Sequence, residues 1–348
     1  MAEKWLITGG CGFVGSNLAS SLLGDGHEVV SLDNLSRLGA TENLAWLRDQ
    51  AGLPGKGRFT FVHADTRSRS DVDNAIERHS GALTAVAHLA GQVAMTTSLE
   101  QPRHDFEVNV GGALNVLEAL RHFAPAAAAL FSSTNKVYGD LSRYRHAEEA
   151  TRWTMPGLPD GLDESAPLEF HSPYGCSKGA ADQYFLDYHR MYGLKTVVFR
   201  HSSMYGGRQF ATYDQGWVGW FIEQILTGTR FTISGDGKQV RDLLHAEDLV
   251  TCYRSAAAKI DSCAGRPFNI GGGSANSLSL VELFAAVERI TGKRASFERL
   301  PSRASDQKVF VADVRVAGAT FGWAPRIGCE EGLRRMIEWV GRRASAER

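Results

Sequence analysis

An α/β fold, a doubly wound parallel Rossmann sheet with a smaller, discontinuous α+β lobe attached, is predicted by three features of this sequence. Short apolar runs alternate with amphipathic stretches through the first 200 residues, the first run enters a glycine-rich turn directly, and the second ends on an acid, Asp33. Apolar runs of strand length separated by helical patterns indicate βαβ units, whose strands lie parallel.

Strands are expected at 5–8, 28–33, 59–65, 84–90 and 127–132, with helices at 13–23, 70–78 and 106–122 between them. A helix at 174–191 and a strand at 196–200 continue the alternation. Residues 139–173 interrupt it. Pro156, Pro159 and Pro167 stand there among several acids without a clear period, the pattern of a functional loop or lid. Beyond lie a Trp-rich segment at 216–221, a strand at 231–234 and helices near 280–290 and 330–340. The expected division is therefore 1–200 with about 241–272 for the large domain, and 201–240 with 273–348 for the lobe.

The net charge of -1 gives no global field toward nucleic acid or a membrane, so an anionic ligand must be caught by local arginines and backbone amides. The five cysteines (Cys11, Cys176, Cys252, Cys263 and Cys329) are odd in number and scattered. That argues against a disulfide framework or a metal site and fits reduced thiols in the cytoplasm. No signal peptide is expected, because residues 4–8 run into the glycine turn and leave no room for an apolar core and a cleavage site. The most apolar stretch, 124–131, is too short to span a membrane.

The turn reads Thr8-Gly9-Gly10-Cys11-Gly12-Phe13-Val14-Gly15. Glycines are needed where the chain turns sharply and its backbone approaches a pyrophosphate, and the following helix offers free N–H groups and a positive dipole end. Asp33, with Asn34 beside it, ends the second strand. An acid there accepts hydrogen bonds from ribose hydroxyls and repels a 2′-phosphate, so NAD is expected rather than NADP, although Arg37 lies close behind. Asp65 reads either as a receiver for an adenine amino group or as a solvated strand-end acid, and Leu89 and Ala90 suit a cofactor passing close to the backbone or core packing. The expected dinucleotide contacts are Gly9, Gly12, Phe13, Val14, Gly15, Asp33, Asn34, Asp65, Leu89 and Ala90, with Tyr174 and Lys178.

Tyr174 and Lys178 lie four residues apart and so share a helix face. An ammonium beside a phenol lowers its pKa toward neutrality and makes the phenolate a general base for a hydroxyl. Ser132-Ser133-Thr134 ends the fifth strand, at the carboxyl edge where open parallel sheets bind ligands. His88 and His201 read as packed histidines, and Trp217 and Trp220, at helical spacing, as core that could line a sugar or base pocket with Gln209 and Tyr213.

With the glycine turn, Asp33, Asp65, Arg200, the Arg241-Asp242 pair and Arg303, these residues resemble the extended short-chain dehydrogenase/reductase family over nearly the whole chain. The resemblance implies NAD in the large domain and a nucleoside diphosphate sugar in the lobe. It makes Thr134 the catalytic hydroxyl, Tyr174 the base and Lys178 its partner. Arg241 and Arg303 become diphosphate arginines, with Ser203 and Gln209 on the sugar. The family's usual dimer surface would make the protein a homo-oligomer through helices 106–122 and 174–191. The segments 92–98, 133–139, 174–184 and 200–220 resemble the branch of that family that inverts C2 of CDP-paratose to give CDP-tyvelose. In keeping with this, Asn135 and Lys136 stand where 4,6-dehydratases of the family carry acids, and Ser203 where its 4-epimerases typically carry Asn. A cytoplasmic, NAD-dependent 2-epimerase of a nucleotide-activated deoxysugar is thus expected, working through a transient 2-keto sugar with no net redox. The alternatives are a 4-epimerase of the same family, a net oxidoreductase and a non-catalytic NAD sensor.

Overall fold

The computed structural model describes residues 2–302 and 306–346. Its large sheet contains β1 (Lys4–Thr8), β2 (Glu28–Asp33), β3 (Phe59–His63), β4 (Leu83–His88), β5 (Ala128–Thr134), β6 (Lys195–His201) and β7 (Arg266–Ile270). All seven pair in parallel, in the order β7-β6-β5-β4-β1-β2-β3. Successive side chains of a strand point to opposite faces. Leu6 accordingly enters one core, with Val86, Phe131 and Phe185, and Ile7 the other, with Leu18, Phe199 and Tyr253. The connections wind in opposite directions on either side of the β1–β4 pair, which leaves a crevice at the carboxyl ends of those strands.

Helices α1 (Phe13–Gly24), α2 (Ala40–Ala51) and α6 (Ala246–Ala258) contribute to the Ile7 core, and α3 (Arg69–His79), α4 (Gly112–Phe123) and α5 (Ser172–Tyr192) to the Leu6 core. Helices α2 and α6 are additions to the sequence reading. Two strands end earlier than expected: β3 stops at His63, leaving Asp65 in the following turn, and β4 stops at His88. β5 instead continues to Thr134, which becomes its last residue.

The lobe is built around the strand Val240–His245. It pairs with Ser277–Ser279, Val309–Phe310 and Ser203–Tyr205, segments far apart in sequence. Asp242 ties these pieces to the large domain. Its carboxylate accepts the Ser202 hydroxyl and the N–H groups of Gly273 at 3.0 Å and Ala312 at 3.2 Å. The helices Trp217–Thr227, Leu280–Thr291 and Cys329–Ala346 cover the lobe's own core of Phe221, Phe231, Phe284 and Met336.

The stretch expected as a lid is a packed strap. It forms a hairpin, Ala147–Glu148 with Trp153–Thr154. Arg152 binds Glu282 at 2.8 Å, and the Trp153 indole donates to Asp236 at 2.9 Å. Leu141, Met155 and Leu162 are buried with Val309 and Phe310.

Behind the crevice, Arg200 donates to both oxygens of Asp182 at 2.9 and 3.0 Å and to the Tyr138 hydroxyl at 3.0 Å. Asp182 also accepts the Ser133 hydroxyl at 2.8 Å, and both ionic side chains are at most 4% exposed. Removing one partner of such a pair strands a buried charge. Arg200→Met is therefore expected to destabilise the fold by about 3–5 kcal/mol. Urea unfolding measures this, and a loss under about 1 kcal/mol, the range of surface pairs, would contradict it.

Candidate active site

A cavity of about 720 Å³ runs from the glycine turn, past the carboxyl ends of β4 and β5, into the lobe. At its first end the backbone is bare for a steric reason. Gly9 has φ +69°, and a Cβ on it would lie 2.7 Å from the Ala90 nitrogen. A Cβ on Gly15 would lie 2.2 Å from the Gly9 carbonyl oxygen. Gly12 precedes α1 and supplies no side-chain cap, so the first turn of the helix keeps its N–H groups for a ligand, and Gly12, Phe13 and Val14 line the cavity. Leu89 and Ala90 form the opposite wall, their N–H groups held by the Thr8 carbonyl at 3.1 Å and the Thr8 hydroxyl at 3.3 Å.

Asp33 lines the same end and is fixed by the N–H groups of Cys11 at 2.9 Å and Leu35 at 2.8 Å. Burial raises its pKa, against these hydrogen bonds. Asp65 takes a bidentate contact from Arg67 at 3.0 and 2.8 Å and the Asn34 amide at 3.0 Å. Arg67 holds its carboxyl well below the usual carboxylate range. Asn34 thus braces Asp65, and Arg37 lines the cavity from an exposed position. A narrow, glycine-walled cradle with a helix N-terminus and a fixed acid fits a dinucleotide.

At the middle of the cavity stand Thr134, Tyr174 and Lys178, all buried and all lining it. Helix α5 starts under strain: Ser172 has φ +64°, and its hydroxyl accepts the Gly175 N–H at 3.2 Å. The Lys178 ammonium lies 4.3 Å from the centroid of the Phe131 ring. Burial lowers its pKa to about 8, opposed by Asp105 and Asp182. Burial raises the Tyr174 hydroxyl to about 12, opposed by the Thr134 hydroxyl and reinforced by Asp105. The fall expected in the phenol's pKa is not found, because burial outweighs its neighbours. Asp105, missed in the sequence, is wholly buried and held by the Ser177 hydroxyl at 2.5 Å and the Gln92 amide at 2.9 Å.

His88 and His201 are packed histidines. Burial pushes both down to about 3, and they bond the Thr8 hydroxyl at 2.7 Å and the Tyr253 hydroxyl at 3.0 Å. Trp217 and Trp220 are half-buried, pack against the lobe's core and line the cavity, and Trp217 donates to Ser203 at 3.1 Å. Gln209 is buried beside them, and its Oε1 has no hydrogen-bond partner among the described residues. At the far end Arg241 donates to Asp306 at 2.9 Å, and Lys136 stands 3.4 Å from the same carboxylate oxygen. Arg303 lies outside the described residues. In the sequence Lys136 stands out only as replacing an acid; its pairing with Asp306 depends on a residue 170 positions away.

Residues 5–271 match the NAD dependent epimerase/dehydratase family. The chain belongs to that family. Within it, the chain is 54% identical over 342 residues to the CDP-paratose 2-epimerase of Salmonella typhi, covering 97% of this chain and 99% of that one. It is 30% identical to a putative UDP-glucose 4-epimerase of Methanocaldococcus jannaschii, covering 96% and 97%. The UDP-glucose 4-epimerase of Thermus thermophilus, solved in complex with NAD, superposes with a TM-score of 0.80 at 31% identity, covering 97% of this chain and 99% of that one. Like other members of this NAD-dependent family, the protein takes NAD as its cofactor. No helix among the described residues is long and apolar enough to cross a membrane.

Proposed function

We propose that the protein inverts C2 of a CDP-linked deoxysugar, converting CDP-paratose to CDP-tyvelose in the cytoplasm. The 54% identity to a CDP-paratose 2-epimerase over nearly the full length of both chains carries this reading. In it, residues 1–200 with about 246–272 hold NAD, and 201–245 with 273–348 hold the nucleotide sugar, the strand Val240–His245 moving to the lobe with its partner strands. The glycine turn, Asp33 and the Asp65–Asn34 pair hold NAD, which when bound accepts hydride from C2 and returns it.

Tyr174 takes the proton of the C2 hydroxyl, and Thr134 holds the same oxygen. Lys178 supplies positive charge close by, in a pocket dry enough for that charge to act strongly. Gln209 offers its Oε1, which has no partner among the described residues, to a sugar hydroxyl. Arg241 and Arg303 take the diphosphate. Asn135 and Lys136 leave the turn after Thr134 without a carboxylate to drive elimination of water. Exposed Phe106, Tyr184, Met191 and Tyr192, on α5 and the approach to α4, suit a second copy of the chain.

The test is product analysis. Incubation with CDP-paratose is expected to give CDP-tyvelose by NMR without added dinucleotide, and denatured protein to release NAD(H). Inversion at C4 would replace this reading with that of a 4-epimerase, and release of NADP(H) would overturn the role of Asp33.

A further inference from the structure

The cavity wall beside Thr134 is held rigidly and carries a cation. Lys136 sits two residues beyond Thr134 on the 3₁₀ turn Asn135–Tyr138, and the Thr134 hydroxyl accepts its N–H at 3.2 Å. Asn135 donates to Gln307 at 2.9 Å, and Gln307 donates to the Gly139 carbonyl at 2.7 Å, closing the turn from outside. Against α5 the turn is equally tight: a Cβ added to Gly175 would stand 3.3 Å from the Lys136 carbonyl oxygen. Lys136 is thereby fixed relative to both Thr134 and Tyr174.

Its ammonium and the Arg241 guanidinium converge on one oxygen of Asp306, at 3.4 and 2.9 Å, and all three residues line the cavity. The Lys136 and Arg241 side chains are only 19% and 12% exposed. Holding two cations together out of water is costly unless anions face them, and a second anion from the cavity would complete the set.

Substrate chemistry says which anion that is. In a glycosyl diphosphate the first phosphorus is three bonds from C2, through C1 and the glycosidic oxygen. C4 lies across the ring from C1. A sugar that presents its C2 hydroxyl to Thr134 and Tyr174 therefore sets its phosphate beside the turn that follows Thr134. One that presents C4 carries the phosphate a ring's width away.

We propose that Lys136 binds the sugar-linked phosphate and thereby selects C2 as the carbon presented to Thr134 and Tyr174. This rests on the C2 reading above. Arg241, with its planar fork, takes the diphosphate from the other side of Asp306.

Calorimetric titration of the NAD-loaded enzyme with CDP and with CMP, which lacks that phosphate, tests it. Lys136→Met is expected to weaken CDP binding by about 10–100-fold, the worth of a hydrogen bond to a charged group. CMP affinity, NAD content and thermal midpoint should stay at wild-type values, and Lys136→Arg should restore most of the CDP affinity. If the wild-type enzyme binds UDP in preference to CDP, UDP and UMP replace them. Equal weakening of both nucleotides, or unchanged CDP affinity, overturns the assignment while a wild-type C2 product leaves the reading above intact. A C4 product from the wild type overturns both.

Discussion

Tyr174→Phe is expected to lower turnover by about 10²–10⁴-fold, the usual worth of a positioned acid–base group. The substitution removes one oxygen from a buried side chain and leaves the ring in its packing. The fold, the NAD content and the affinity for the nucleotide sugar should therefore persist, so the loss falls on kcat. Lys178→Met should be similarly severe for a different reason. Burial pushes the Tyr174 hydroxyl up to about 12 and Lys178 down to about 8. Lys178 therefore keeps its charge at neutral pH and loses it as the pH rises through about 8. Replacing it with an apolar chain removes that charge at every pH. Steady-state rates with NAD content measured on the same samples decide the matter. Near-normal turnover in Tyr174→Phe would remove this hydroxyl from the reaction.

The parts of this site that lie close together in sequence were legible there. The glycine turn and Asp33 read as a dinucleotide cradle because one strand, one turn and one helix N-terminus build it. Tyr174 and Lys178 read as a pair because α5 is continuous between them. Thr134 could be placed because it follows the fifth apolar run and stands at the catalytic position of the family the chain resembles. What escaped depends on distant residues. The strand Val240–His245 finds its partners at 203–205, 277–279 and 309–310, and no local period announces them. Helix α2 was missed because its fully buried residues are only Ala40, Asn43, Leu44 and Leu47, too few to mark a clear stripe. The phenol's pKa was misjudged because helix spacing puts Lys178 on the same face but says nothing of depth. Burial decides the outcome. Arg152 joins the strap to Glu282 across 130 positions, which turned an apparent lid into part of the lobe's wall.

Complete retention of hydrogen at C2 is the last expected result, and it is all or none. C2 of a glycosyl phosphate is not acidic, because its neighbour C1 is an acetal and offers no carbonyl to stabilise a carbanion. Inversion by direct deprotonation would also need a base facing the carbon itself. The turn beside Thr134 supplies none: Asn135 is neutral, Lys136 is cationic, and the Asp306 carboxylate is engaged by Lys136 and Arg241. His88 and His201 are buried and bonded to Thr8 and Tyr253. Tyr174 handles the proton on oxygen, which exchanges with water in any case. By transient oxidation, the hydrogen on carbon reaches no exchangeable group of the protein. Substrate deuterated at C2 should keep its label through epimerisation, and reaction in D2O should leave C2 unlabelled, both read by NMR and mass spectrometry of the product. Entry of solvent deuterium at C2 would exclude transient oxidation even if the product were the expected epimer. Retention accompanied by inversion at C4 would keep Thr134, Tyr174 and Lys178 in their roles and move the reacting carbon, and with it the phosphate, away from Lys136.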